Sequence, residues 1–522
     1  MPKEQLYLDG KYMSAKRIIL GLLTLLAVGR VLLSLGGSLS EPQIQSRLQL
    51  YQTNLVLYTS ELRLDTENEE LNEVVVKSLG ENPLEAANKQ YEKARAEAVE
   101  VRNTFQKAIA PVAQGENNKT KEIASPRQQL KQQVEDITRF IDEIDLKRGI
   151  LAAEQGDTEK AQSIWQELVA RVNDEEDEYA LTATVLQGLW NDEAVVDNAE
   201  TVIQDNLDSW FRDRSLLKLY TARNDQTQLA AIQEKQQEAA SSAAVKLTFI
   251  SAIPFLGGFL GFILLLFLVG QAIIRKDNSI LATNSNVGWK TPWDWEITWQ
   301  VIIVGFFFVG QFVLPLLLGL IGFNVAEASL RIKALYVLLT YVLMAAGGII
   351  VLFLSLKPYL PLPKEWFELK LWDNWFVWGF GGYLVAIPCV LLVSLLNQQI
   401  WQGQGGSNPL LYLALQAQDK VALAVFFSTA SIAAPLFEEL IFRGFLLPSL
   451  TRYFSVTVSI VLSGLLFAVA HLSLAEVLPL ATLGIILGIV YTRSRNLLAP
   501  MLLHSLWNSG TLLSLFVLGS GV

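Results

Sequence analysis

Two glutamates and an arginine stand in a stretch that is otherwise apolar, 431-SIAAPLFEELIFRGFLLPSL-450. Glu438 and Glu439 are adjacent, and Arg443 lies four residues after Glu439. A helix would place Glu439 and Arg443 on one face with the acid N-terminal to the base, the favoured orientation for an ion pair. Glu438 would point about 100° away. It is therefore left for a separate partner, and a carboxylate in this position could accept a proton from water.

The chain has two histidines, and both follow this stretch within apolar runs. His471 lies four residues after Phe467, and Asn508 lies four residues after His504. A helix brings residues at this spacing to one face. Ionisable groups at membrane depth are costly and usually mark a functional site. The clustering of both histidines near the glutamate pair therefore predicts a chemical role.

These residue types are the parts of a hydrolytic site. Glu438 and His471 would activate a water molecule, and His504 and Asn508 would stabilise the oxyanion formed at a carbonyl carbon. No side chain need become a covalent nucleophile. The competing interpretation is structural hydrogen bonding between helices, and we accept it for the second glutamate and its arginine.

Three motifs appear in order: E-E-x-x-x-R, F-x-x-x-H and H-x-x-x-N. They consist of Glu438, Glu439, Arg443, Phe467, His471, His504 and Asn508. This pattern resembles the CPBP family of intramembrane proteases, also called the type II CAAX prenyl endopeptidase or abortive-infection family. The resemblance covers roughly residues 420–518. It implies a multi-helix intramembrane peptidase in which the first Glu and first His activate water, and the later His and Asn form the oxyanion hole.

Other hydrolase classes fit the sequence less well. Paired aspartates, as in an aspartyl intramembrane protease, are absent from the apolar runs, and Ser463-Gly464 lies in the same run as His471 instead of on a separate loop. A zinc site remains an alternative, because Glu438, His471 and His504 could supply three ligands. It would lack an H-E-x-x-H motif and would give Asn508 no role. We therefore predict catalysis without a cofactor.

The composition indicates a membrane protein, since 51% of the 522 residues are hydrophobic and the mean hydropathy is +0.33. A membrane-spanning helix needs about 20 apolar residues. Nine runs approach that length: 18–37, 247–274, 300–322, 333–356, 374–396, 419–437, 456–472, 477–492 and 497–518. The sequence therefore predicts an all-α, polytopic helical membrane protein. Its single cysteine, Cys389, cannot form an intrachain disulfide.

Residues 40–245 differ from the rest of the chain. Positions 41–245 hold 38 acidic and 22 basic residues and show no strand-like alternation, which predicts an acidic helical extramembrane domain. The segment 149–171 resembles a tetratricopeptide hairpin, and turn-like pairs recur near the ~34-residue period of such repeats. An irregular bundle or coiled coil is the alternative. We expect a protein partner for this domain and no nucleic-acid partner, because the acidity leaves no basic stripe for phosphates.

The predicted organisation has three parts. Residues 1–39 form a polar segment and an anchor helix, favoured over a cleaved signal peptide; 40–245 is the acidic domain; 246–522 is the multi-span domain with its protease core near 420–518. With nine spans, the N-terminus falls on the same side as most of the basic clusters, which are Arg275/Lys276, Lys357/Lys364/Lys370, Arg443/Arg452 and Arg493/Arg495. The positive-inside rule then places 40–245 outside the cytoplasm. The membrane would be the plasma membrane or another internal membrane of a bacterium or organelle.

The sequence thus favours an intramembrane endopeptidase acting on a protein or peptide. The alternative is a non-catalytic membrane scaffold or immunity-type protein that binds partners through residues 40–245. Nothing in the residues shows whether the substrate is prenylated.

Overall fold

The structure is a computed structural model that describes residues 15–39, 44–62, 82–112, 126–172, 177–191, 197–321, 325, 328–401, 404–408, 411 and 419–519. Contacts divide the chain into two compact units. The membrane unit joins residues 1–39, 254–401 and 407–516, and the acidic unit joins 40–253, 402–406 and 517–522. The predicted boundaries at 39/40 and 245/246 stay predictions, and the second falls within one continuous helix, Gln226–Arg275.

The described residues form helices and no strand, which confirms the all-α class. In chain order these helices are α1 Ala15–Ser38, α2 Ile44–Thr59, α3 Pro83–Val112, α4 Pro126–Glu154, α5 Thr158–Arg171, α6 Glu178–Trp190, α7 Ala199–Asn206, α8 Ser209–Ala222, α9 Gln226–Arg275, α10 Trp295–Leu320, α11 Leu330–Leu356, α12 Trp375–Trp401, α13 Lys420–Leu450, α14 Val456–Val469, α15 Leu474–Ser494 and α16 Leu498–Gly519.

The predicted hairpin at 149–171 is present in the acidic unit as the end of α4, a turn and α5. Gly156 takes φ +85° in the turn, and the Asp157 side chain accepts a hydrogen bond from the Lys160 amide at 3.1 Å. Trp165 is fully buried, and a Cβ at Gly149 would lie 2.1 Å from its ring nitrogen. The hairpin therefore depends on a glycine facing a tryptophan. Whether the unit is a tetratricopeptide array stays a prediction.

The sequence has turn-like pairs at Gly156-Asp157, Asn191-Asp192 and Asn224-Asp225, and two of these pairs separate helices. Gly156-Asp157 lies between α4 and α5, and Asn224-Asp225 lies between α8 and α9. The Asp225 side chain accepts hydrogen bonds from the first amides of α9, which is the usual start signal of a helix. Asn191 follows α6 directly, and its partner Asp192 lies outside the described residues.

Eight helices in the described chain are long and apolar enough to cross a membrane: α1, α9, α10, α11, α12, α13, α15 and α16. They correspond to eight of the nine predicted spans. The ninth, predicted at 456–472, is the 14-residue helix α14, which rises only about 21 Å. The chain is a multi-pass integral membrane protein.

The loops after α9, α11, α13 and α15 are joined at one end of the membrane unit, which we call the Trp289 end. The Trp289 ring nitrogen donates to the Glu365 carbonyl at 3.1 Å, and its amide donates to the Thr451 hydroxyl at 3.0 Å. The Asn496 side-chain amide donates to the Lys370 carbonyl at 2.7 Å. These bonds satisfy loop polar groups that would otherwise be costly to bury.

A second group of contacts forms the opposite end, which we call the Ser38 end. The Leu474 amide, which begins α15, donates to the Ser38 hydroxyl at 3.2 Å. The Glu476 carboxylate accepts a hydrogen bond from the Asn408 amide at 2.8 Å. Helix α14 begins beside Thr451 at the Trp289 end and leads into Leu474 at the Ser38 end. Short as it is, α14 therefore runs between the two ends.

Helix α1 packs within the membrane unit. Ala27 and Val31 are buried in its core, the Arg17 side chain donates to Glu296 at 2.9 Å, and the Trp299 ring nitrogen donates to the Thr24 hydroxyl at 2.8 Å. The prediction that this helix is an uncleaved anchor stays a prediction. Removal of α1 would expose part of the core of the membrane unit.

Candidate active site

Helix α13 changes its geometry on both sides of the glutamate pair. Its segments Thr429–Ala433 and Leu440–Leu446 are π-helical, and the α-helical segment Ala434–Glu439 lies between them. A π-helical turn widens the backbone, and such turns are frequent at functional sites. The two widened segments set the direction in which the carboxylates point.

Side chains of α16 bind the carbonyl groups of the first π-helical segment. The Ser505 hydroxyl donates to the Ser431 carbonyl at 2.6 Å, and the Asn508 amide donates to the Ala430 carbonyl at 2.7 Å. These bonds hold α16 against α13. They also commit one N–H of Asn508 and leave its second N–H for another acceptor.

The predicted pair of Glu439 and Arg443 is present and entirely buried. Both side chains are 0% exposed, and Arg443 Nη1 donates to Glu439 Oε1 at 2.8 Å. Arg443 Nη2 donates to the Gly484 carbonyl at 3.0 Å, and its guanidinium lies 4.5 Å from the centre of the Phe467 ring. A second partner of Glu439 was not predicted: its Oε1 also lies 2.8 Å from His504 Nδ1.

This contact fixes the orientation of His504. Glu439 Oε1 already accepts a hydrogen bond from the Arg443 guanidinium, so His504 Nδ1 carries a proton and donates it. The other ring nitrogen, Nε2, then faces Glu438, at 4.0 Å from its Oε2. His504 is 3% exposed. Glu439 thus binds both the arginine and the histidine.

Glu438 has a partner that the sequence did not indicate. The Tyr341 hydroxyl of α11 donates to its Oε1 at 3.1 Å. Its Oε2 is buried and has no hydrogen-bond partner among the described residues, although the side chain as a whole is 14% exposed. Tyr341 therefore holds one oxygen and leaves the other free to accept a proton.

His471 lies in the turn after α14, two residues beyond the helix end at Val469. Its Nδ1 lies 2.9 Å from the Phe467 carbonyl. A carbonyl only accepts, so Nδ1 carries the proton and Nε2 is free to accept one. The buried Phe467 ring packs edge-on against both histidines, with ring centres 4.9 Å from His471 and 5.6 Å from His504.

One cavity of about 280 Å³ brings the predicted residues together. Its lining includes Glu438, His471, His504 and Asn508. The rest of the described lining is Tyr341, Asn408, Leu411, Thr429, Ala430, Ala434, Glu476, Pro479, Leu480, Trp507, Thr511 and Leu512. The structure therefore gathers four residues from distant parts of the chain around one space, with Glu439, Arg443 and Phe467 behind its wall.

Three members of this wall were missed by sequence reasoning. Glu476 is a carboxylate in an apolar helix, so the criterion that identified Glu438 could have found it. Tyr341 carries no such signal, because a tyrosine in an apolar run is common. Asn408 contributes its backbone amide to Glu476, a contact that no side-chain pattern reveals.

The zinc alternative stays a prediction. Within the described part of the chain, no group of three or more His, Cys, Asp or Glu side chains is arranged to hold a metal ion. His504 Nδ1 is already bound to Glu439.

Comparison with known proteins points to one family. Residues 420–510 match the family described as Rce1-like, type II CAAX prenyl endopeptidase Rce1-like. The membrane-embedded CAAX protease MroQ of Staphylococcus aureus (strain USA300) is 27% identical over 221 residues, covering 41% of this chain and 86% of the relative. The YdiL protein of Bacillus subtilis (strain 168) is 22% identical over 133 residues, which cover 26% of this chain and 53% of the relative. No solved structure matches the chain.

Proposed function

Because residues 420–510 carry a protease domain of the CPBP, CAAX-type intramembrane family, we propose that this protein is a glutamate-type endopeptidase that hydrolyses peptide bonds with an activated water. The observation that supports this best is the shared cavity, where the free oxygen of Glu438 faces the unbound ring nitrogen of His504.

Water activation falls to Glu438 and His471. The free Oε2 of Glu438 accepts a proton from water as the water oxygen bonds to the scissile carbonyl carbon. His471 Nε2, an acceptor, orients the same water. Tyr341 holds the other Glu438 oxygen, so the base keeps one orientation during attack.

The tetrahedral oxyanion requires donors, and His504 with Asn508 supply them. His504 Nε2 donates when the ring is protonated, and the Glu439 carboxylate stabilises that charge at 2.8 Å. The second N–H of Asn508 is the other donor. Donors fixed in advance in a water-poor site stabilise developing charge strongly. When the intermediate collapses, the carbon–nitrogen bond breaks and the proton on Glu438 passes to the leaving amine.

Replacing Glu438 tests the proposal. Glu438→Gln keeps the shape and removes the base, so hydrolysis of a peptide library by purified protein should fall by about 10²- to 10⁴-fold. Thermal unfolding should be nearly unchanged. Glu368→Gln is a suitable control, because this carboxylate pairs with Lys370 outside the cavity and both are partly exposed.

Metal dependence is read in the same assay. Wild-type activity should survive a chelator, since Glu438 acts on water directly. Near-normal turnover by Glu438→Gln would contradict the mechanism. Loss of activity on chelation, with recovery on adding zinc, would contradict it as well.

A further inference from the structure

A second carboxylate, Glu476, lines the same cavity as Glu438. It lies in the first turn of α15 at the Ser38 end. One of its oxygens accepts from the Asn408 amide at 2.8 Å, and the positive end of the α15 dipole favours its negative charge. No described residue makes a second hydrogen bond to this carboxylate. The proposed hydrolysis gives Glu476 no step.

The basic groups on the described lining of the cavity are two histidines, His471 and His504, and the proposed hydrolysis uses both. None of the described lining residues is Lys or Arg, and the segment 402–419, which joins α12 to α13, contains neither residue type. Arg443 lies behind the wall, fully buried and bound to Glu439. A carboxylate entering the cavity would therefore meet Glu438 and Glu476 and find no Lys or Arg partner, whereas a cationic side chain could pair with Glu476.

Resting on the proposed function, we propose that Glu476 selects the substrate by charge, binding a Lys or Arg side chain near the scissile bond and disfavouring acidic side chains there. Pro479 and Leu480 lie three and four residues beyond Glu476 and line the same cavity. A long basic side chain can pack its apolar stem along such residues while its charged head reaches the carboxylate. The substrate class is thus an apolar peptide with an internal basic residue.

The alternative role of Glu476 is structural, since it also holds the Asn408 segment. Glu476→Gln separates the two roles, because the amide oxygen still accepts from Asn408 while the charge is lost. Glu476→Lys reverses the charge. The quantity to measure is the ratio of kcat/KM between peptides, so that a uniform change in activity does not affect the result.

The experiment uses one cleaved peptide made with Lys, Gln or Glu singly at each position flanking the scissile bond. Wild-type protein should favour Lys over Glu by about tenfold to a hundredfold at one position. Glu476→Gln should reduce that ratio to about one, and Glu476→Lys should invert it. Glu368→Gln, outside the cavity, should leave both activity and ratio unchanged. A wild-type protein indifferent to charge, or a Glu476→Gln variant that keeps the preference, overturns the inference.

Binding supplies a readout that does not require hydrolysis. Fluorescent apolar hexapeptides with a single Lys, Gln or Glu should bind wild-type protein in that order of affinity by anisotropy, and the order should vanish in Glu476→Gln. Absence of cleavage with this order intact would overturn the proposed function and leave the charge selection standing. Cleavage with equal binding of the three peptides would overturn the charge selection and leave the proposed function standing.

Discussion

At the scale of residues, Glu439 has two partners. The spacing predicted Arg443, and the structure adds His504, both at 2.8 Å from the same oxygen. The ion pair is therefore more than a means of burying two charges, because it also positions a candidate catalytic ring. A sequence motif specifies neighbours on one helix, whereas this second contact comes from a helix 65 residues away.

Removing the arginine should sharply lower the stability and the yield of folded protein. Arg443→Ala leaves Glu439 buried with only His504 as a partner, and an uncompensated buried charge costs about 3–5 kcal/mol. We expect a large fall in thermal stability and in the yield of monodisperse protein by size-exclusion chromatography. Arg331→Ala is the matched control, since its ion pair with Asp419 is largely exposed and should contribute little.

The double variant tests the second contact. Glu439→Gln with Arg443→Met removes both charges and should recover part of the stability. It should not recover hydrolysis, because His504 loses the carboxylate that stabilises its protonated ring. A stable double variant with wild-type turnover would show that Glu439 acts through Arg443 alone.

The sequence singles out the candidate residues for a physical reason. Charged and imidazole groups are rare in apolar helices, so Glu438, His471 and His504 stand out without any structure. What it could not supply is the direction of each group. The Tyr341 contact joins α11 to α13, and the Asn508 contact binds a carbonyl of a π-helical turn. Neither follows from spacing along one helix.

At the scale of elements, α14 and α15 pack backbone to backbone. A Cβ built on Gly484 would lie 2.8 Å from the Gly464 Cα and 3.3 Å from Arg443 Nη2. Helix α14 is short, yet it carries Phe467 and leads into His471. The glycine contact therefore sets the distance between the wall of the cavity and the buried arginine. The length of the apolar runs predicted the membrane helices, but hydropathy does not show where backbones touch.

Filling this contact should be destabilising. Gly484→Ala forces the two helices apart, and overpacking of this kind costs about 1–3 kcal/mol. Because the Gly484 carbonyl also accepts from Arg443, hydrolysis should fall along with thermal stability. Both can be measured on detergent-solubilised protein.

A matched control lies in another membrane helix. Among the described residues, a methyl group added to Gly270 of α9 would have no atom within 4 Å apart from its chain neighbours and the nearby backbone of its own helix. Gly270→Ala should therefore be neutral or slightly stabilising, as alanine favours helix. Equal thermal stability of the two variants would refute the tight contact.

At the scale of the whole molecule, the Trp289 end and the Ser38 end bear on how the chain is oriented in the membrane. The loops joined at the Trp289 end include those carrying Lys290, Lys370 and Arg495. Their grouping supports one cytoplasmic face under the positive-inside rule. One residue was counted wrongly: Arg443 was taken as a loop charge, yet it is 0% exposed inside α13. The remaining basic residues favour the same side when Arg443 is left out.

The orientation prediction can be tested across one helix. Residues before α9 and after it should lie on opposite sides of the membrane, with residues 40–245 outside the cytoplasm. In a Cys389→Ala background, Lys89→Cys places a thiol at a position whose side chain is 70% exposed, and Asp277→Cys places one at an exposed position next to Arg275 and Lys276. An impermeant maleimide applied to intact cells should label the first and spare the second, which should react only after lysis. The reverse pattern would put the acidic unit in the cytoplasm, and labelling of both thiols in intact cells would mean that α9 does not cross. Because the two positions flank a single span, the result does not depend on whether the short helix α14 completes a ninth crossing.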